Sequence, residues 1–379
     1  MKPFLLGPSP SVDDSGLLEA IRAYQLVGEN TGNLAFCYAI DRLLGGGLAS
    51  RPWHAMPEEI DRAGSVGVLT LANQLGPHAN FGSLANNFKK LECKLVGIGL
   101  GAQAGNFQQE VEIPEGTLNW VREIQDHATN DAPNIIMRGE FSRRALERYG
   151  LAEKTVALGC PTLFISPEKE LGRKIAMRFD GKPERIAVAA GHQRWHHLAR
   201  LEASLVQLMG PNRGAYICQS PFEMVQLGRN EVDKLTEEQR DMCRNYACPQ
   251  LTDEDFIKWT QQYAFSFFSA SAWLEFMRRF DFVIGTRIHG IMLALQAGIP
   301  ALCIAHDSRT KELCETMKVP HVSASEVSGG VRRDDISRLF QFDPDEFDSN
   351  RLSLAKEYVK FLKNNELNPA PYLTDLSLA

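Results

Sequence analysis

DFVIGTRIHGIMLALQAGIPALCIAHDSRTK, residues 281–311, is the stretch on which the reading of this chain turns. Phe282, Val283 and Ile284 form a short apolar β-prone run, and Gly285 ends it where the backbone must turn. From Ile288 the apolar residues recur at three- and four-residue steps through Ile291, Met292, Leu295 and Ile299, which predicts a helix with one buried face. Gly298-Ile299-Pro300 stops it, and Ala301–Ala305 reads as a second strand. Strand, turn, helix, strand is a βαβ unit, and open α/β sheets bind ligands at the carboxyl ends of their strands. Arg287 and His289 fall at that position.

Their chemistry suits an anionic substrate. A guanidinium forks onto phosphate or carboxylate, an imidazole moves a proton near neutral pH, and the helix start adds free N–H donors. The next strand ends in a similar way: Asp307 or Ser308 caps a helix from about Arg309, so that Arg309 and Lys311 make a second anion-binding corner. One Arg and one His at a helix start are more often a surface pair than a site. Their place at a strand end, with a polar turn repeated on the next strand, argues for the site.

Working outward, 379 residues suffice for two domains, each with its own core. Lys plus Arg number 41 against 47 Asp plus Glu, a net charge of −6 without long blocks of either sign, so neither nucleic acid nor a membrane surface is an expected partner. No integral membrane segment or signal peptide is legible, which points to the cytoplasm. The eight cysteines contain no C-x-x-C pair and lie mostly in apolar runs, as reduced core thiols do. No metal site is expected, and the three histidines of Gly191-His192-Gln193-Arg194-Trp195-His196-His197 lack an acidic third ligand.

The βα rhythm runs through the chain. Phe4–Leu6, Val66–Thr70, Leu95–Gly99, Ile135–Met137 and Thr155–Leu158 read as strands, with helices over 33–44, 83–91, 118–128 and 140–149, the last charged and mostly solvated. The turn Asn30-Thr31-Gly32-Asn33 suits either a helix cap or close approach of a ligand. Gly97-x-Gly99-x-x-Ala102 formally fits a dinucleotide fingerprint, but the segment after it is aperiodic, so it reads as a Gly-rich loop leading to Gln103 and a cleft. Cys160 before Pro161 has no general base near it in sequence and reads as structural.

Charge, Pro and Gly in 166–183 mark a domain boundary. A second series opens with a strand at 185–190, and the turn after it directs His192 or Arg194 toward the same sheet edge as Arg287. Further readings are a helix over 198–209, a strand at 215–218, one polar helix over 223–244, an aromatic stripe at helical spacing over 261–280, and a terminal helix over 351–362.

Gly285-Thr286-Arg287-Ile288-His289-Gly290, Ala297-Gly298-Ile299-Pro300 and Asp307 resemble the carboxyl-terminal signature of the polysaccharide pyruvyl transferase family. Asn30–Asn33, Gly97–Gln103, Arg138-Gly-Glu-Phe-Ser142 and Gly159-Cys160-Pro161-Thr162 follow the family's order, so the resemblance spans about residues 1–322. It implies two Rossmann-like domains facing across a cleft, the GT-B-like arrangement: residues 1–168 on the acceptor side, 169–350 on the donor side, and 351–379 returning to the first domain. It implies transfer of the pyruvyl group of phosphoenolpyruvate to a sugar diol of a polysaccharide or its precursor, giving a cyclic ketal and phosphate. The partners implied are phosphoenolpyruvate as donor, a saccharide or lipid-linked saccharide as acceptor, and room for a homo-oligomer, with no cofactor.

On that resemblance Arg287 and His289 are the catalytic pair. Arg309 and Lys311 neutralise the leaving phosphate, with His192 or Arg194 beside the donor and Asn30, Asn33 and Gln103 toward the acceptor. The family commonly has Asp where this chain has Asn33, which cannot act as a base. The alternatives are a GT-B nucleotide-sugar glycosyltransferase and a non-catalytic saccharide-binding relative.

Overall fold

The computed structural model describes residues 2–210 and 213–379; Met1, Pro211 and Asn212, which the expected domain ranges include, lie outside the described residues. Twelve strands among the described residues pair into two six-stranded sheets. The first contains β1 (Pro3–Leu6), β2 (Ser50–Arg51), β3 (Val66–Thr70), β4 (Lys94–Leu100), β5 (Ile135–Met137) and β6 (Thr155–Ala157). The second contains β7 (Ile186–Ala189), β8 (Ala215–Ile217), β9 (Ala264–Phe265), β10 (Phe282–Gly285), β11 (Ala301–Ala305) and β12 (His321–Ser323). Every neighbouring pair is parallel. Helices cover both faces, which is why β1, β3, β7, β10 and β11 are almost continuously apolar and buried.

Strand order fixes where ligands can enter. The first sheet runs β2-β1-β3-β4-β5-β6 and the second β9-β8-β7-β10-β11-β12, the order of a dinucleotide-binding sheet when β7 is counted as its first strand. The direction of winding reverses between β1 and β3 in one sheet and between β7 and β10 in the other. Each reversal leaves a crevice at the carboxyl ends of the two strands. Leu6 pairs with Leu69 at the mouth of one, and Ala189 with Gly285 at the mouth of the other.

The expectation of two α/β units is met. The helix Ile288–Gln296, expected to bury one face, buries every one of its residues. It is wedged between β10 and β11 of its own sheet and the helix Asn33–Leu43 and turn Pro161–Phe164 of the other half, so no face is left for water. One continuous apolar core runs from Phe36 and Ile98 to Val188 and Ile284.

Several local expectations fail for identifiable reasons. The polar stretch 223–244 is two helices, Phe222–Gly228 and Glu237–Ala247, separated by a short 3-10 turn. Asn230, in the left-handed conformation with φ 60°, ends the first, and Thr236 with Gln239 forms a capping box that starts the second. The aromatic stripe of 261–280 crosses β9, which pairs with Tyr216 and Ile217, so its helical spacing belonged to two different helices. The helix 140–147 is solvated over most of its length, as expected, and buries one face through Phe141, Ser142 and Leu146. The terminal helix begins at Pro344, where Asp343 accepts the Asp345 and Glu346 N–H groups, and a further helix, Pro371–Ser377, follows it. This tail reaches the first sheet's half: Asn365 Nδ2 donates to the Pro133 carbonyl at 2.9 Å, and the Ala370 N–H to that of Leu43 at 2.7 Å.

Candidate functional site

His289, in the first turn after β10, is only 8% exposed. Nε2 lies 3.9 Å from Cys160 Sγ, and the ring centroid is 5.2 Å from that of Phe36. Nδ1 faces the other half of the molecule, where a Cβ on Gly32 would stand 3.5 Å from it. Burial lowers the pKa of this imidazole well below the usual range, and the charges of Arg138, Arg309 and Arg287 push it in the same direction. The ring is therefore neutral at neutral pH with these neighbours, and not the group titrating there that its residue type suggested.

Arg287 donates from Nη2 to Ser220 Oγ at 2.9 Å and to the Ser220 carbonyl at 3.2 Å, and its guanidinium lies 4.8 Å from the Trp195 ring centroid. Its buried Nε has no hydrogen-bond partner. Desolvation, then the charge of Arg309, brings its pKa down to about 10. Trp195 also packs against His306 at 4.4 Å and His192 at 5.2 Å. His192 is held down to about 4 by burial and by Arg287 and Arg194. Behind this wall the buried Glu202 accepts from the Gly191 N–H at 2.8 Å and the Tyr216 hydroxyl at 2.7 Å, which fixes the turn carrying His192.

The third cation, Arg138, extends from the end of β5 and is 3% exposed. Its Nε donates to the Gly99 carbonyl at 3.0 Å, and Gly101 has no side chain because a Cβ there would lie 2.5 Å from Arg138 Cδ. Burial brings it down to about 10. Arg309 bonds Asp307 at 3.0 Å. Burial works against the Asp307 charge, but Arg309 holds its carboxyl below the usual range. Around the same crevice Thr31 Oγ1, Gln193 Oε1, Gln219 Nε2 and Thr286 Oγ1 are buried without a hydrogen-bond partner. Such atoms are rare in native interiors; the Thr31 and Thr286 hydroxyls and Gln219 Nε2 can donate to an anionic ligand beside the guanidiniums, while Gln193 Oε1 can accept from a ligand hydroxyl.

The crevice of the first sheet is different. It opens into a cavity of about 980 Å³ lined by Gly7, Pro8, Asn33, Phe36, Trp53 and Thr70, among others. Phe36 borders both the cavity and His289. Asn33 Nδ2 donates to the carbonyls of Val27 and Gly28 at 3.0 and 3.1 Å, closing the end of the helix Ala20–Leu26. An ionised aspartate has no proton to donate there. Asn30 turns back on itself, with Oδ1 accepting the Gly32 N–H at 2.9 Å.

The fold therefore brings Arg287, His289 and Arg309 together with His192 beside them. It does not bring Arg194, which is exposed and meets Glu223 at 3.4 Å. Lys311 is half exposed, beside Phe107 and Glu315. Gln103 is exposed and bonded to Asn73. At the second anion corner Asp307 takes the Thr310 N–H at 2.8 Å, and a cavity of about 470 Å³ lined by His306, Asp307, Ser308 and Lys311 lies beside it. Sequence reasoning placed Arg138 in a motif at a strand end but gave it no role in the site, although it stands at the carboxyl end of a strand as Arg287 does. It also found no base near Cys160, where the fold puts His289; burial pushes that thiol up, so it stays protonated. All eight cysteines are buried and unpaired. Among the described residues no group of three His, Cys, Asp or Glu is placed to hold a metal ion, and no helix is long and apolar enough to cross a membrane.

A family model described as polysaccharide pyruvyl transferase matches residues 30–308. No curated protein matches the chain. Among solved structures it is similar to Staphylococcus aureus MnaA with UDP, at 10% identity and TM-score 0.46 over 97% of this chain and 98% of that one. It is similar also to Anabaena HepE with UDP, at 13% and 0.41 over 100% of both chains. A third is a Methanocaldococcus jannaschii UDP-GlcNAc 2-epimerase, at 12% and 0.42 over 95% of this chain and 99% of that one.

Proposed function

We propose, from the premise that this chain belongs to the polysaccharide pyruvyl transferase family, that it moves the pyruvyl group of phosphoenolpyruvate onto a sugar diol and releases phosphate. The observation that carries this reading is the convergence of Arg138, Arg287 and Arg309 on the neutral, buried His289. Phosphoenolpyruvate is small and carries a phosphate and a carboxylate. Guanidiniums clamp both groups, and a buried site strengthens each contact.

The same geometry supports a role for His289 as the proton carrier. The guanidiniums that keep it neutral are offset once a multiply charged anion lies among them, so binding the donor raises its affinity for a proton. His289 then protonates C3 of the enol, C2 becomes oxocarbenium-like, and the first sugar hydroxyl adds to it while its proton returns to the imidazole. Breakage of the C2–O bond to phosphate and addition of the second hydroxyl close the ketal, the last proton leaving with phosphate. Asn33 takes no part as a base in this scheme. The open cavity beyond Phe36 is the reading for the acceptor, being wide and lined by aromatic groups together with polar ones, Asp13, Asp14 and Arg22 among them, that can hydrogen-bond hydroxyls.

Thermal denaturation with phosphoenolpyruvate and, separately, with a panel of nucleotide sugars tests the donor assignment without a known acceptor. Stabilisation by phosphoenolpyruvate is expected. Stabilisation by a nucleotide sugar alone would overturn it in favour of a glycosyltransferase.

A further inference from the structure

The helix Ser308–Met317 carries Arg309 on the second sheet's side, while Arg138 belongs to the first. Two residues one turn apart on that helix, Ser308 and Glu312, reach across the cleft. Ser308 Oγ pairs with the Ala104 N–H and carbonyl at 3.0 and 2.9 Å. Glu312, 3% exposed, receives the Ser142 N–H on one oxygen at 2.7 Å and the Ser142 hydroxyl on the other at 2.6 Å. Ser142 Oγ in turn accepts the Ala102 N–H at 2.9 Å. The approach is close enough that a Cβ on Gly139 would lie 2.5 Å from Glu312 Cγ.

Ser142 stands one turn beyond Arg138, and Ala102 follows the Gly99–Gly101 segment along which the Arg138 side chain lies. The carboxylate therefore ties the strand ends that aim Arg138 to the helix that aims Arg309. It lies within electrostatic reach of Arg138 without being its hydrogen-bond partner. A surface helix needs no buried carboxylate, and burying one is costly unless its lone pairs are filled; here both oxygens are bonded to the opposite domain.

We propose that Glu312, through Ser142, is a positioning residue that sets the separation of Arg138 and Arg309 across the cleft, and so the affinity of the site for the donor's two anionic groups. This rests on the donor reading above. Positioning of this kind acts on binding: the guanidiniums remain, but no longer meet phosphate and carboxylate together.

The test is calorimetric titration of phosphoenolpyruvate into wild type, Glu312→Ala, Glu312→Gln and Ser142→Ala, with thermal melts to verify folding. Glu312→Ala should raise Kd about tenfold or more, as loss of one of two cooperating clamps does. Glu312→Gln, which keeps an oxygen for the Ser142 N–H, should recover most of that loss. Ser142→Ala should weaken binding in the same direction, and the Glu312→Ala/Ser142→Ala double variant should be no weaker than Glu312→Ala alone, since both remove one joint. Once an acceptor is in hand, KM for the donor should rise far more than kcat falls. Wild type that does not bind phosphoenolpyruvate would overturn the donor reading and this inference with it. Wild-type binding that folded Glu312→Ala and Glu312→Gln leave unchanged would overturn the inference alone.

Discussion

The two reversal crevices of this protein have the same architectural origin and opposite characters. Between β7 and β10 the walls are guanidiniums, imidazoles and unpartnered polar atoms, closed around His289. Between β1 and β3 phenylalanine, tryptophan, glycine and proline, with Asp13, Asp14 and Arg22 among them, surround an open cavity of about 980 Å³. A small, highly charged ligand needs cations held out of water, where each contact is strong; a large neutral ligand rich in hydroxyls needs space and flat apolar faces. On the proposed reading donor and acceptor lie against different sheets, with Phe36 as the wall common to both crevices.

The contrast breaks first at the charged crevice. Arg287→Ala and His289→Ala should each lower turnover by about 10²–10⁴-fold while the fold persists, because they remove transition-state clamping and proton transfer. Circular dichroism alongside phosphate release reads both effects, and wild-type rates in either variant would reject the site.

Acid should distinguish the two crevices next. Burial and neighbouring arginines lower the pKa of His306 from 6.5 to about 4, against the opposing pull of Asp307. Below pH 6.5 the unfolded chain then binds a proton that the folded chain refuses. The stability held by this neutral ring is complete above that pH and is lost as pH falls toward 4, by up to about 1.4 kcal/mol per pH unit. His306→Phe keeps the ring packed against Trp195 and removes the proton. Urea unfolding of that variant should therefore converge with, or overtake, wild type as the medium is acidified. A constant difference from pH 7.5 to 4.5 would show that the ring is not held neutral.

A smaller effect belongs to the open crevice. Asn33→Asp replaces two donated hydrogen bonds by a carboxylate facing two carbonyls, a loss of about 1–3 kcal/mol in stability. It should lower the melting temperature without raising turnover. A gain in turnover would instead restore an acid/base role to this position.

Arg194→Ala should do least. Its exposed pair with Glu223 at 3.4 Å is worth no more than about 1 kcal/mol, and donor affinity should stay within about twofold of wild type.

How much of this was legible follows from what is local. Gly285 ending an apolar run, and the three- and four-residue steps after Ile288, depend on neighbours in sequence, so the βαβ unit and the place of Arg287 and His289 could be read directly. The resemblance added the order of motifs. What could not be read depends on contacts between distant segments. The same periodicity that marks one buried face cannot reveal that Asn33–Leu43 covers the other side of the helix 288–296. Residue type alone made His289 a group that titrates near neutrality; burial between the two halves first, and then three arginines from different strands, make it neutral. Glu312 looks like one more charged helix residue until Ser142 is brought against it. The breaks at Asn230 and Thr236, and the cap at Asp343 before Pro344, were local signals that helical polarity concealed.

The most direct measurement is titration of phosphoenolpyruvate into wild type, Arg287→Ala and Arg138→Ala by calorimetry. The account predicts binding to wild type and a loss of at least about tenfold in each variant, because the two guanidiniums come from different sheets and converge on one anion. Absence of binding to wild type, or equal affinity in all three proteins, would contradict it.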